Sequence, residues 1–308
     1  MLLATFLWGS TFPLIKKALA VADPAGFAGL RFCLSGVMLL VAAIVWQAVF
    51  HRGEQRVGEA PAGGSRRPLW GRVILIGFLA TGLCNGLYFH GMARTSATSA
   101  SLLDGASPIV SSVMAHFALR DDRLDRRKMI AILTAFVGIT LIALTRAESG
   151  ESRTVSIIGC VLIIAALSVG AAGTILVITY QGSLGLVRLT GFQQLFAGLM
   201  LLAMSLFTES GRHWAALTNP GFIATVVWLA VVSAVAFRLW YGVVRRYKVT
   251  SVAVYTFLVS VWGAGLSITV LGEPFTLNHM IGGALVVSAL LVMYRSGGEA
   301  LRPAQPLA

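Results

Sequence analysis

Charge is what this 308-residue chain has least of: 12% of its residues are Asp, Glu, Lys or Arg. A soluble domain carries about 25% and is roughly 45–50% apolar. Here 57% of the residues are hydrophobic. Half the usual charged shell excludes an ordinary soluble protein, a disordered chain and a coiled coil. An integral membrane protein remains. Cysteine is scarce too. Cys33, Cys84 and Cys160 lie inside apolar runs, are odd in number and show no C-x-x-C spacing. That excludes a disulfide framework and a cysteine zinc site, and the three read as small buried hydrophobes. There is no G-x-x-x-x-G-K-[ST] loop and no H-E-x-x-H run, and the five histidines are scattered. No ATP-driven machinery, metal, cofactor or enzyme activity is expected from such a chain.

What the chain does have is long apolar runs. They cover residues 1–21, 25–50, 71–92, 96–119, 129–146, 156–180, 188–208, 221–243, 250–271 and 278–295. Each approaches the ~20 residues a spanning helix needs. Each is read as a helix, because lipid offers backbone polar groups no other partner. Turn and charge signals separate them: Asp23-Pro24, Arg66-Arg67-Pro68, Asp121-Asp122-Arg123, Asn219-Pro220 and Glu273-Pro274. The expected fold is all-α, with about ten transmembrane helices. The first run has no basic lead and no small-residue cleavage site, so it is not a secretory signal peptide.

The scarce charges are unequal, 24 basic against 12 acidic. In a soluble protein that excess would suggest nucleic acid. In a membrane protein, Lys and Arg collect in cytoplasmic loops. With the N-terminus inside, sixteen of the 24 fall on cytoplasmic segments, from Arg52 to Arg72, Arg120 to Lys128, Arg188, Arg245 to Lys248, and Arg295 with Arg302. Six face the other side: Lys16, Lys17, Arg94, Arg146, Arg153 and Arg212. Both termini are therefore expected in the cytoplasm, and no nucleic-acid partner is needed.

An offset of 152 residues superposes Thr98-Ser99 on Thr250-Ser251, Arg94 on Arg246, Tyr88 on Trp240 and Asp121 on Glu273. With five helices in each half, the second half must be inverted relative to the first. Residues 1–146 and 156–295 are the expected repeats, and 296–308 a cytoplasmic tail. Inverted repeats place a substrate path between the halves near the midplane.

Leu7-Trp8-Gly9-Ser10 with Lys16, Leu30-Arg31-Phe32, the stretch around Pro108, and Leu271-Gly272-Glu273-Pro274 followed by Ile281-Gly282-Gly283 resemble, in that order, the drug/metabolite transporter superfamily of EamA type. The resemblance spans nearly the whole chain. It implies ten helices in two inverted five-helix repeats that move metabolites across the plasma membrane. Two departures stand out. Asp121-Asp122 replaces the family's usual Gly-Glu. Ser260-Val261 stands where a proline is common, so the ninth helix is expected to be straighter than the fourth.

Ionisable residues inside a membrane cost at least ~2.5–3.5 kcal/mol each on insertion scales, so they are candidates for function. Asp104 and Arg31 both lie ~10 Å from the outer face at 1.5 Å per residue, which makes an ion pair between them possible. Asp104 is read either as a gate or cation-responsive carboxylate or as a structural partner. Arg238, ~10 Å from the cytoplasmic side, either snorkels there or meets an anionic substrate group. Ser101, Asp104, Pro108 and Ser111 share one face of the fourth helix, and Pro108 invites a kink. Ser251, Tyr255, Val259 and Trp262 form a comparable face on the ninth. Trp8, Tyr88, His90, Gln193, Trp240 and Trp262 are further candidates for the path, with core packing or an interface belt as the alternative. Asp121 and Glu273 read as turn or cap residues.

The expected function is a secondary transporter in a bacterial plasma membrane, working by alternating access. Its cavity would be lined by helices one to four and six to nine, with the fifth and tenth outside. Its partners would be a small-molecule substrate, the lipid bilayer and a coupling proton. On family grounds amino acids or related metabolites come first, drugs second, and export before uptake. A lipid or lipid-linked sugar flippase of the same fold, a channel-like facilitator, and a membrane-embedded enzyme or assembly subunit are the alternatives. The oligomeric state is left open.

Overall fold

The computed structural model describes residues 2–50, 68–118, 126–143, 153–180, 182–244 and 249–296. Among the described residues there are helices and turns and no strand. The basic runs at 52–67, 119–125 and 245–248, Asp121 among them, lie outside the described residues. So do the 297–308 tail and the side chains of Pro108, Ser251 and Tyr255.

In chain order the helices are α1 (Leu2–Gly9), α2 (Thr11–Leu19), α3 (Pro24–Phe50), α4 (Trp70–Ile76), α5 (Cys84–Ala93), α6 (Ala97–Asp104), α7 (Ser107–Ala118), α8 (Arg126–Ala143), α9 (Arg153–Ile178), α10 (Leu186–Thr208), α11 (Arg212–Ala216), α12 (Pro220–Val244), α13 (Val249–Leu271) and α14 (Leu277–Ser296). A π-helical turn at Gly77–Leu83 joins α4 to α5 without a break. Five stretches are long and apolar enough to cross a membrane: Pro24–Gln47, Trp70–Ala93, Ile157–Ile178, Leu186–Thr208 and Pro220–Val243. Shorter apolar helices run over Met129–Ile142, Leu258–Leu271 and Leu277–Ala289.

The first and fourth expected spans are not single helices. α1 gives way to α2 at Ser10, and α6 to α7 at Gly105-Ala106. Proline explains both. A proline has no N–H for the carbonyl four residues back, so Pro13 leaves Gly9 unserved and Pro108 leaves Asp104 unserved. At the second break the turn tightens, with Gly105 N donating to the Leu102 carbonyl at 3.1 Å and Ala106 N to that of Leu103 at 2.9 Å. α13 lacks such a proline and runs unbroken through Ser260-Val261, as the sequence led one to expect.

Glycines bring the helices into backbone contact. α3 and α10 pack along their lengths. A Cβ placed on Gly29 would stand 3.0 Å from the Gly198 carbonyl oxygen, and one on Gly198 2.9 Å from that of Gly29. Gly91 of α5 and Gly159 of α9 oppose each other likewise at 2.7 and 2.8 Å, and Gly138 of α8 and Gly282 of α14 at 2.6 and 2.7 Å. Lipid tails give apolar side chains no reason to prefer each other, so small residues that let backbones approach supply the packing. α8 and α14 pack mainly on each other and show large apolar side chains outward, such as Phe136 and Met280.

One end of the bundle is tied by side chains that serve helix termini. The Glu273 carboxylate accepts from Ala97 N at 2.9 Å and Thr98 N at 2.7 Å, at the start of α6. Glu209 does the same for Ala25 N at 2.7 Å and Gly26 N at 2.8 Å, at the start of α3. Lys16 Nζ donates to the Thr95 carbonyl at 2.6 Å and the Met92 carbonyl at 3.2 Å, where α5 ends. Each charge sits where the helix dipole favours it. The cap role expected for Glu273 is thus met, in trans, on a helix far away in sequence.

Replacing Gly91 by valine must push α9 away. We expect a loss of about 1–3 kcal/mol, the usual cost of overpacking, seen as a lower thermal midpoint in detergent. A Cβ on Gly71 meets no atom within 4 Å, so Gly71→Ala should leave the midpoint nearly unchanged. Glu273→Gln should lower the same midpoint, by about 1.5–3 kcal/mol for hydrogen bonds to a charged group.

Candidate substrate site

α12 presents Ser233, Phe237 and Trp240 at steps of four and three, so the three share one face. α3 presents Arg31 and Phe32 towards it. The Arg31 side chain is buried, 4% exposed, and its Nε donates to Ser233 Oγ at 2.9 Å. Its guanidinium carbon lies 5.1 Å from the Phe32 ring centroid and 5.7 Å from that of Phe89. Both distances suit a cation held over an aromatic face. Phe32 and Phe237 meet edge to face at 6.4 Å. Phe237 then meets Trp8 of α1 at 5.5 Å, and Trp8 meets Trp240 at 6.0 Å. The result is an aromatic enclosure with one guanidinium at its base. Trp8, Phe237 and Trp240 are only half-buried.

Arg31 and Asp104, which could have paired by depth, do not: among the described residues no ion pair joins them, and Arg31 turns to Ser233 and the rings instead. Asp104 ends α6 at the proline break and is half-buried. It makes no hydrogen bond or ion pair among the described residues. It stands within electrostatic reach of Cys84 and Tyr88 on α5. A carboxylate that faced lipid would carry the full insertion cost, so an inward setting is the cheaper one for Asp104. Tyr88 meets Phe12 edge to face at 6.4 Å, and its hydroxyl lies 3.5 Å from the Ala100 carbonyl.

The other candidates are placed elsewhere. Ser101 donates to its own helix, at the Thr98 carbonyl, 2.8 Å away. Gln193 is enclosed, its Nε2 donating to Thr81 Oγ1 at 2.8 Å and to the Tyr241 hydroxyl at 2.9 Å. It ties the π-helical turn to α10 and α12. His90 lies at the end of α5 and its Nδ1 donates to the Gly86 carbonyl at 2.9 Å. Arg238 lays Nη1 against Gly242, one turn on along its own helix, the placement that snorkelling requires. Trp262 is 40% exposed and pairs with Phe6 of α1 at 5.5 Å. Pro108 contributes its backbone to the break after Asp104.

Three lining residues were not singled out from the sequence: Phe32, Ser233 and Phe237. The stripe on α12 was visible as a spacing, since Ser233, Phe237 and Trp240 follow the helical period. Phe32 and Phe89 are apolar residues in apolar helices, and nothing marks them until Arg31 lies over their rings. A separate groove along α12, lined by Pro220, Ile223, Val227 and Trp228, is shallow and apolar. It faces outward, as a lipid contact does.

The chain matches the EamA-like transporter family twice, over residues 1–144 and 156–295. It is 26% identical to "Uncharacterized transporter YvbV" of Bacillus subtilis (strain 168), over 93% of this chain and 88% of that protein. It is 26% identical to the "Probable amino-acid metabolite efflux pump" of Salmonella typhimurium, over 94% of this chain and 92% of that one. With "Uncharacterized transporter YetK" of Bacillus subtilis the identity is 27%, over 66% of this chain and 61% of that protein. A solved crystal structure superposes with a TM-score of 0.66 at 17% identity over 97% of both chains, a likeness of fold alone. A match on both halves settles the family: the chain belongs to the EamA-like transporter family, as a membrane transporter and not an enzyme.

Proposed function

We propose that the chain is a secondary transporter that exports small carboxylate-bearing metabolites, amino acids with apolar side chains first, by alternating access in a bacterial inner membrane. The observation that carries this reading is Arg31. One of its donors holds Ser233, and its remaining N–H groups have no partner among the described residues. A guanidinium offers donors in a fork that matches a carboxylate. The rings of Trp8, Phe237 and Trp240 beside it suit an apolar side chain. The Salmonella relative named an amino-acid metabolite efflux pump supports the solute class and the outward direction.

In this reading the two matched segments are inverted five-helix repeats, related by the sequence offset of 152 residues, and they rock about the crevice. The breaks at Ser10 and Gly105-Ala106 supply discontinuous helices next to it, where such helices are at home in transporters. Asp104 is the coupling carboxylate, a proton acceptor that opens on the same crevice. Both termini are cytoplasmic, and the end tied by Glu209, Glu273 and Lys16 faces outward.

Two measurements test it. In proteoliposomes, Arg31→Lys should raise KM for a carboxylate substrate roughly 10-fold to 100-fold, the worth of a hydrogen bond between charged groups. Asp104→Asn should leave counterflow intact and remove stimulation by a pH gradient. Wild-type behaviour in Arg31→Lys would remove the carboxylate from the site. An unchanged pH response in Asp104→Asn would end the coupling role. For orientation, Ser210→Cys in intact cells should react with a membrane-impermeant maleimide, and Ser183→Cys only after the membrane is opened. The reverse pattern would invert the topology.

A further inference from the structure

The tied end of the bundle gathers a second group of ionisable residues. Asp23 lies between α2 and α3, Glu209 at the end of α10, and His213 on α11. One ligand atom from each lies within 4.8 Å of the other two. Asp23 belongs to the first matched segment and the other two to the second, so the group spans the junction between them.

His213 is the residue that turns this cluster into a site. It is completely buried, 0% exposed, yet neither of its ring nitrogens has a hydrogen-bond partner. A neutral imidazole carries one donor and one acceptor, and leaving both unmet in the interior is costly. Nδ1 points at Asp23 Oδ2, 3.5 Å away, too far for a hydrogen bond. The ring is pinned there because it lies on Gly26, where a Cβ would come within 2.1 Å of Nδ1. His90 borders the cluster from the α5 side. Its Nδ1 faces a carbonyl, that of Gly86, which can only accept, so the proton is on Nδ1. Nε2 then faces Glu209 Oε1 at 3.5 Å.

We propose that Asp23, Glu209 and His213 bind a divalent transition-metal cation of the zinc type, with His90 packed on Glu209 from the α5 side. One imidazole and two carboxylates suit zinc, and water would complete the coordination. Ligand atoms on a tetrahedral zinc stand roughly 3.4 Å apart, so side-chain adjustments of about an ångström close the group. Glu209 already accepts two backbone N–H groups, and Asp23 accepts from Arg212 N and the Ser210 hydroxyl. A carboxylate has about four lone-pair positions, so each keeps room for a metal. These hydrogen bonds also fix where the oxygens stand before the cation arrives. The Arg212 guanidinium donates to the Ala20 carbonyl at 2.6 Å and not to either carboxylate, and that of Arg94 to the His90 carbonyl at 2.8 Å. The site is separate from the aromatic enclosure and does not depend on what the protein transports.

Zinc chloride added to the purified protein in detergent provides the test. About 100 µM zinc should raise the thermal midpoint, because a ligand of the folded state alone stabilises it, and EDTA should reverse the rise. His213→Ala and Asp23→Asn should each weaken zinc binding by about tenfold or more, while Gly71→Ala retains it. X-ray absorption on the wild-type protein with one equivalent of zinc covers the case in which the variants fail to fold. It should report a nitrogen and oxygen shell with an imidazole signature. No stabilisation of the wild type, stabilisation that survives both substitutions, or a shell with sulfur or without imidazole would each overturn the site.

Discussion

Backbone-to-backbone contact at glycine pairs is the constraint on which this bundle rests. Gly29 with Gly198, Gly91 with Gly159, and Gly138 with Gly282 each put one helix of the first matched segment against one of the second. In water the hydrophobic effect would hold such helices together whatever their side chains. In lipid it does not act between helices, and close packing must take its place. Leucine on one side of such a contact would separate the helices by the width of a side chain. Gly29 lies two residues before Arg31 on α3, so the close contact with α10 helps fix where that helix places the guanidinium.

Polar groups follow a second economy. Helix ends leave N–H and C=O groups unserved, and at one end of the bundle they are met by Glu209, Glu273 and Lys16 from other helices. Deeper in, charged groups are few, and each has a defined setting. Arg31 is held by a serine hydroxyl and two rings, while Asp104 ends α6 beside a proline break. The contrast is informative. A buried guanidinium can be accommodated by aromatic faces and one hydroxyl. A carboxylate is an acceptor only, and rings present it with their negative faces, so Asp104 needs a different neighbourhood.

Much of this was legible in the sequence because it rests on composition and period. Shortage of charge and apolar runs of spanning length pointed to an all-helical membrane protein. The short motifs around Trp8, Arg31 and Glu273 carried the family. Trp8, Arg31 and Trp240 do come together with Phe237 in one enclosure. What could not be read is what depends on rotation about a helix axis. Depth alone put Arg31 level with Asp104, yet their side chains leave in different directions. Gln193 looked like a polar group on a path and is locked between Thr81 and Tyr241. The histidines looked scattered because His90 and His213 lie 123 positions apart, and only the fold brings one to Glu209 and the other to Asp23. Pro13 and Pro108 were visible, but whether a proline kinks or severs a helix is decided by its neighbours.

The two broken helices both belong to the first matched segment, whereas α13, at the place corresponding to α6 and α7, is continuous. Two mirror-like halves of equal stiffness would present the same barrier to both compartments and rest equally often open to either. Unequal halves do not. In the proposed cycle the bending concentrates where Ser10 and Gly105 interrupt the chain, while α13 moves as a rod. In that proposed cycle the resting protein would have a preferred side before any substrate or ion is bound. Such a built-in lean would set how readily the site is entered from each side, while the gradients of solute and ion would set the direction of net flux.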